Sequence, residues 1–362
     1  MSSEPMMIKY LHDKAANEGI PLSGTFELTQ RCNFNCEMCY VHDANKKDDP
    51  ISAEQWIDMG RQAKEAGTVF LLLTGGEPMI RKDFEEIYLG LMKMGFIITI
   101  NTNGSLIDRH IEMFKKYPPF RFNISLYGAD DRAYNSLCHV NSYDKVISNI
   151  KLAKENGIPV RLNHVVTPAN NCDCKKIIDT AKDLDALIKS TAYAYPAIRL
   201  GKTDNEARLT AEEAAQRTID IDKYNYNKED FLRRYEHMIN LAPSIEDNSM
   251  RCRGGRCSFW ITADGIMRPC GMISEPDTYP FRDGLVKAWE QTKRNTNEIK
   301  LPDECITCKY SGFCIVCAAM CKAETGSFSK KPEYICKMMK KYYELSLREV
   351  ESAKNEDKEN DD

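Results

Sequence analysis

Nothing in this chain of 362 residues is apolar for long enough to cross a bilayer, which excludes a spanning helix. The opening, Met1-Ser2-Ser3-Glu4-Pro5, is not a secretion signal, because Lys9 and His12 interrupt the short apolar segment from Ile8 to Leu11. No basic excess marks a nucleic-acid binder, since the net charge is −4. No internal repeat stands out beyond the strand–helix alternation described below. These absences predict a cytoplasmic protein with neither a membrane nor a nucleic acid as partner.

Cysteine is what the chain has in excess. A cytosolic chain with fifteen cysteines uses them for metals or clusters rather than disulfides. Cys32, Cys36 and Cys39 share one loop, Cys138, Cys172 and Cys174 are scattered, and nine crowd between Cys252 and Cys336. The scattered three have no four-ligand set around them and are expected to pack or stay free. A hydrophobic content of 42% supports a real core, and the length allows two domains.

The first loop reads Cys32-Asn33-Phe34-Asn35-Cys36-Glu37-Met38-Cys39-Tyr40 and follows the strand-like Thr25–Thr29. Its three thiolates can converge on one metal cluster. Three ligands on a cubane that needs four leave one iron open to a substrate or cosubstrate. A zinc knuckle completed by His42, or free cysteines, fits the same residues.

Beyond the loop the chain alternates. Ser52 and Gln55 form a capping-box pattern for a helix to about Ala66, with Gly67 as its stop. The apolar run Thr68–Leu73 suits a strand buried on both faces of a parallel sheet. Helices are expected at Asp83–Met94, Leu106–Tyr117, Tyr143–Asn156 and Asp173–Leu184. Strands are expected at Phe96–Asn101, Arg121–Leu126, Pro159–Val166 and Ile188–Tyr195. Six repeats are fewer than the eight of a closed barrel, so the fold class is α/β with a partial, open (β/α)6 TIM-like barrel. A flat doubly wound sheet fits the same periodicity.

The expected division begins with an N-terminal extension (1–23), where Tyr10, Leu11 and Ala15 share one side of a brief helix. A partial barrel (24–200) and a helical bridge (201–248) follow, the bridge with helices near Ala211–Ile219 and Glu229–Asn240. A small cysteine-rich α+β domain (249–340) comes next. The charged C-terminal tail (341–362) frays from helix into disorder past about Ser346.

The C-x3-C-x2-C spacing, with the aromatic Tyr40 after it, resembles the signature of radical S-adenosylmethionine (radical SAM) enzymes. The resemblance implies that Cys32, Cys36 and Cys39 hold a [4Fe–4S] cluster whose open iron chelates SAM. Electron transfer then cleaves SAM to a 5′-deoxyadenosyl radical that abstracts a substrate hydrogen. Thr74-Gly75-Gly76-Glu77-Pro78 resembles the GGEP motif of the same family, which meets the SAM amino group, with Glu77 as an acceptor for the ammonium. The resemblance extends SAM contacts to Tyr40, to Asn103 in Asn101-Thr102-Asn103-Gly104, to Ser125 at the end of the fourth strand, and to Asn163 and Val165 on the fifth. Each of these positions is equally readable as a cap or turn residue. Arg132 and Arg161 are both candidates for the SAM carboxylate.

The pattern Cys252-x4-Cys257-x12-Cys270, then Cys305-x2-Cys308-x5-Cys314-x2-Cys317, then Cys321 and Cys336, resembles the SPASM extension of radical SAM enzymes. That extension holds two auxiliary [4Fe–4S] clusters, which makes three in all. Carried over, Cys252, Cys257 and Cys270 ligate the first, and Cys305, Cys308, Cys314 and Cys336 the second. The family's fourth ligand of the first cluster would fall at Ala318. Cys317, one residue short, is the favoured substitute, with Cys321 or an open iron as alternatives. Two structural zinc sites fit the C-x2-C pairs as well.

SPASM extensions most often accompany peptide-modifying enzymes. The resemblance therefore implies oxidative modification of a small ribosomally made precursor peptide, by a crosslink, thioether or similar link. It also implies a flavodoxin- or ferredoxin-type reductant. No leader-binding domain is expected ahead of the first strand. A separate leader-binding protein, or a barrel mouth lined by Tyr127, Tyr193, Tyr195 and Arg199, would take its place. The anaerobic sulfatase-maturing enzymes, which generate formylglycine, are an alternative. They usually place an Asp base directly after the third cysteine of the first auxiliary set, where this chain has Gly271. A small-molecule dehydrogenase or epimerase, and a non-catalytic zinc or iron–sulfur scaffold, complete the readings.

Overall fold

The structure, a computed structural model, describes residues 5–40, 48–196, 207–241, 247–250 and 252–361, with side chains as far as Asn355. His42 and Arg199 lie outside the described residues. The chain opens with helix α1 (Met6–Glu18). There follow β1 (Ser23–Glu27), α2 (Ala53–Glu65), β2 (Phe70–Thr74), α3 (Phe84–Lys93), β3 (Ile97–Thr102) and α4 (Ile111–Lys116). Then come β4 (Arg121–Ser125), α5 (Asp131–Cys138), α6 (Tyr143–Glu155), β5 (Val160–Val165), α7 (Cys174–Asp183) and β6 (Leu187–Thr191). Helices α8 (Ala211–Asn225) and α9 (Lys228–Ile239) lead to the hairpin of β7 (Ser258–Ile261) and β8 (Met267–Arg268). The last elements are α10 (Pro280–Asp283), α11 (Leu285–Asn297), α12 (Ala318–Thr325) and α13 (Glu333–Asp361).

Strands β1 to β6 pair in parallel and in sequential order. A doubly wound sheet would reverse its order at a switch point. Its absence here leaves the open TIM-like barrel. Alternate side chains point outward into the helix layer. Phe122 and Ile124 are fully buried there, and Phe122 meets Phe114 of α4 edge-on at 5.0 Å. Each such side chain contributes roughly 1.5–3 kcal/mol by leaving water. The capping box expected at Ser52 and Gln55 starts α2. Among the described residues no helix is long and apolar enough to cross a membrane.

The sheet continues past β1. β7 pairs with it in parallel, from Ser23 opposite Ser258 to Phe26 opposite Ile261, and β8 returns antiparallel. The cysteine-rich region is thus hydrogen-bonded to the barrel edge. A division drawn from composition does not reveal that seam.

Other differences have local causes. Helix α5 is short and went unanticipated. It is started by Asp130, whose side chain accepts the Ala133 N–H at 2.8 Å. In α1 the buried side is His12 and Ala15, while Tyr10 and Leu11 face solvent. His12 stacks on Phe70 at 5.4 Å and bonds the Ser23 hydroxyl at 2.9 Å. Those partners begin β2 and β1, so α1 closes the lower end of the barrel. Helix α13 does not fray at Ser346. Tyr342, Ser346, Val350 and Ala353 recur on one buried face against α8 and α9, while Arg348, Glu351 and Lys354 stay exposed.

Candidate active site

The cysteine loop leaves β1 and is fixed from two sides. Gly76 donates its N–H to the Thr29 carbonyl at 2.8 Å, and Glu77 donates its own to Arg31 at 2.9 Å. A Cβ on Gly76 would stand 2.2 Å from the Arg31 carbonyl oxygen, so only glycine permits this approach. On the other side, Asn35 and Glu37 donate N–H groups to the carbonyls of Cys138 and Leu137, at the end of α5, at 3.2 and 3.0 Å. The buried Phe34 ring meets Tyr134 of α5 edge-on at 6.5 Å. The missed helix is therefore a buttress of the candidate cluster loop.

Cys32, Cys36 and Cys39 are half-buried and lie close enough for all three to interact electrostatically. Burial pushes the Cys32 thiol up to about 12. Cys36 is pushed up by a hydrogen bond with the Cys138 thiol and then by burial. Cys138, expected to pack, is fully buried against the loop. A bound cation reverses such shifts and favours thiolate.

Glu77 is fully buried. Its carboxylate accepts the Thr102 hydroxyl and the Asn103 N–H at 2.8 Å each and the Met79 N–H at 3.2 Å. Burial nonetheless raises it to about 7. Here Glu77 staples the turn after β2 to the end of β3. Asn103 continues the staple. Its amide donates to Asn33 at 2.9 Å and reaches the Cys32 sulfur at 3.8 Å, while its oxygen accepts from Ser105. Gly75, Pro78 and Tyr40 flank this junction in the chain. Ser125 ends β4 opposite Asn163 of β5, two residues before Val165. The two carboxylate candidates separate. Arg132 sits exposed on α5, 3.8 Å from Asp130 and 3.9 Å from Asp173, whereas Arg161 lies on β5.

The C-terminal cysteines gather in two sets. Cys252 interacts with Cys317 and Cys257, and the half-buried Tyr195 ring feels Cys317, Cys270 and Cys252. Tyr195 places its hydroxyl 3.8 Å from the Cys317 sulfur. Cys314 interacts with Cys336, Cys305 and Cys308, and burial pushes its thiol up to about 12. Cys321 is fully buried, and its strongest cysteine neighbour is Cys305 of this second set. A cavity of about 320 Å³ between the sets is lined by Cys252, Cys305, Cys314 and Cys317, and the buried Ser311 hydroxyl beside it has no partner among the described residues. Of the scattered cysteines, Cys174 is buried and Cys172 exposed.

Among the described residues, no three Cys, His, Asp or Glu side chains close on one point at metal-ligating distance. The local backbone nevertheless suits iron–sulfur ligation. Phe34 donates its N–H to the Cys32 sulfur and Met272 to the Cys270 sulfur, both at 3.4 Å. Gly254 and Val316 do the same for Cys252 and Cys314. Four cysteines thus receive the N–H from two residues ahead, the kind of bond that tunes cluster sulfurs.

The sequence reading missed Glu27 and Trp260. Glu27 ends β1 fully buried and accepts the Trp260 indole N–H at 2.9 Å. An acidic residue on an otherwise buried strand was the available signal. Tyr193 is buried and Tyr195 half-buried, and their rings pack edge-on at 4.9 Å. Tyr193 donates to Glu324 at 2.8 Å, and Glu324 also pairs with Arg208. Tyr127 is half-buried after β4.

Residues 26–181 match the Radical SAM superfamily. A protein of Saccharolobus islandicus described as a probable GTP 3′,8-cyclase is 33% identical over 252 residues, covering 67% of this chain and 80% of the relative. The match to the like-named protein of Saccharolobus solfataricus, also 33% identical, covers 43% of this chain and about half of that relative, 52%. The antilisterial bacteriocin subtilosin biosynthesis protein AlbA of Bacillus subtilis is 25% identical over 313 residues, covering 82% of this chain and 67% of that protein. In fold, the chain superposes on Streptococcus suis SuiB bound to its precursor peptide SuiA with a TM-score of 0.70. There the identity is 19%, with 92% of this chain and 82% of the other covered. Together with the three-cysteine loop, the GGEP turn and the open parallel barrel, these likenesses establish that the chain belongs to the radical SAM superfamily.

Proposed function

We propose that this enzyme reductively cleaves SAM and uses the 5′-deoxyadenosyl radical to oxidise residues of a ribosomally synthesised peptide, forming a crosslink, thioether or similar link. The observation that carries this reading is the seam of β1 and β7, which ties a nine-cysteine region to the barrel that holds the SAM loop. Cys32, Cys36 and Cys39 would hold the SAM-binding cluster. Tyr40, Gly75, Gly76, Glu77, Pro78, Asn103, Ser125, Asn163 and Val165 would surround SAM, Glu77 and Asn103 mainly by fixing the cysteine loop. Cys252, Cys257, Cys270 and Cys317 would hold one auxiliary cluster, and Cys305, Cys308, Cys314 and Cys336 the other. When bound, these clusters supply an electron to cleave SAM and an acceptor for the electron released as the new bond forms.

The domain division belongs to this reading: an N-terminal extension (1–23), a partial barrel (24–200), a helical bridge (201–248) that contains α8 and α9, a cysteine-rich domain (249–340) and a charged tail (341–362). A flavodoxin- or ferredoxin-type reductant and a separate leader-binding protein are its partners, in a reducing cytoplasm. The likeness to AlbA, a bacteriocin biosynthesis protein, supports a peptide substrate because it extends over 82% of the chain. The second reading is GTP 3′,8-cyclase chemistry, favoured by the 33% identity to archaeal proteins of that description. The formylglycine reading has less support. A Cβ on Gly271 would stand 2.7 Å from the Trp260 ring, which leaves no room for an Asp base.

Anaerobic reconstitution tests the proposal. About twelve irons are expected for three cubanes. SAM and dithionite should yield 5′-deoxyadenosine that disappears when Cys32, Cys36 and Cys39 are all changed to Ala. The protein is then offered GTP or any small peptide encoded beside its gene. Peptide mass loss without GTP consumption supports the first reading, and GTP cyclisation overturns it.

A further inference from the structure

The loop from Cys308 to Cys314 carries a buried hydroxyl that the fold leaves unused. Ser311 lies midway between the two cysteines. Its N–H donates to the Cys308 carbonyl at 3.0 Å, and Cys314 donates its own to the Tyr310 carbonyl at 3.0 Å, so the backbone is tied into consecutive turns. The aromatic neighbours pack on α13, where Tyr310 and Phe313 meet the Tyr343 ring at 5.4 and 5.3 Å. Ser311 instead lines the cavity between the two cysteine sets.

Ser311 is 8% exposed, and its Oγ has no hydrogen-bond partner among the described residues. A desolvated hydroxyl without a partner destabilises a fold, so it calls for one. The other polar residues on the cavity wall are already engaged. Asp247 accepts the Ser249 N–H at 2.8 Å, and the Asn248 amide donates to Asp303 at 2.7 Å. Met250, Leu301, Val316 and Ala318 make much of the remaining wall apolar. The soft acceptors facing this space are sulfurs, those of Cys305 and Cys314 from the set that includes the Ser311 loop, and those of Cys252 and Cys317 from the other.

We propose that the Ser311 hydroxyl donates a hydrogen bond to a sulfur of the auxiliary cluster held by Cys305, Cys308, Cys314 and Cys336, and so raises the reduction potential of that cluster. The inference rests on the reading that these four cysteines hold a [4Fe–4S] cluster. The Ser311 loop supplies two of the four, which favours this set over the other. Reduction adds negative charge to the cluster and strengthens a hydrogen bond to its sulfur, so the reduced form gains more than the oxidised one. The hydroxyl thereby makes the cluster a readier acceptor for the electron that leaves the substrate. Ser311 acts through the cluster and touches no substrate itself.

The test is an EPR-monitored redox titration of the reconstituted holo-protein, with the parent compared to S311A and S311T. The SAM-binding cluster is recognised by the change of its signal when SAM is added, and the second auxiliary cluster by the signal that C317A leaves intact. S311A should hold as much iron as the parent. Its second auxiliary midpoint should fall by about 59 mV, a tenfold change in the one-electron equilibrium. S311T keeps the hydroxyl and should titrate near the parent, whereas a merely structural role would be disturbed by the added methyl group. The midpoints of the other two clusters should stay where they are. The inference is overturned if S311A titrates with the parent, which would make water the partner of the hydroxyl, or if the first auxiliary midpoint moves instead. Lower iron in S311A would assign Ser311 a part in holding the cluster and would overturn it too. Zinc in place of iron at this set in the parent would overturn the cluster reading itself, an outcome distinct from an unmoved midpoint on a loaded cluster.

Discussion

The indole N–H of Trp260 donates to the Glu27 carboxylate at 2.9 Å, across the seam where β7 joins β1. Trp260 belongs to the cysteine-rich region, and Glu27 ends the strand that delivers the three-cysteine loop. The bond is possible because the residue after Cys270 is glycine, whose missing side chain leaves space for the indole.

Gly271→Asp should therefore cost about 1–3 kcal/mol by overpacking. Denaturant unfolding measures the loss, and a changed Trp260 environment should appear in fluorescence. A stable G271D protein with formylglycine-generating activity would contradict the packing argument and revive the sulfatase-maturing reading.

Cys317 and Cys321 make opposite predictions. Cys317 sits with Cys252 and Cys270 around Tyr195, while Cys321 is buried beside Cys305. C317A should lose or alter the EPR signal of one auxiliary cluster, and C321A should keep all iron. The reverse pattern would transfer the ligand role to Cys321.

Asn103 links Asn33, Ser105 and the Cys32 sulfur in one buried junction. Asn103→Ala strands several polar groups, each worth roughly 1–3 kcal/mol when left unpaired. Iron occupancy of the first cluster should fall in N103A while the auxiliary clusters load normally. Full loading with unchanged SAM affinity would show that the junction is dispensable.

His164 gives the pH dependence. It is buried on β5, and burial pushes it down from 6.5 to about 4. The fold therefore holds it neutral, while the unfolded chain protonates it below about 6.5. Its contribution is fully present above about 6.5 and is lost as pH falls toward 4, about 3 kcal/mol in all at 1.36 kcal/mol per unit. Unfolding free energies of the parent and H164N at pH 7 and pH 5 should diverge accordingly. Parallel curves would mean that His164 finds a proton-accepting partner in solution.

The sequence alone determined the barrel, because a buried parallel strand such as Phe70–Thr74 and an amphipathic helix such as Ala53–Glu65 each announce themselves within a dozen residues. It also announced the cysteine loop and the GGEP turn, whose spacings are local. It did not show helix α5, a short element whose value lies in the carbonyls it offers to Asn35 and Glu37. Nor did it show the long α13, whose charged composition hides a buried stripe. Only the tertiary structure decided that Glu77 is spent on Met79, Thr102 and Asn103, and that Cys317 rather than Cys321 faces Tyr195. It alone set Trp260 beside Glu27, because residues 233 apart in the chain meet only when the sheet is laid down and strand register sets which side chains become neighbours.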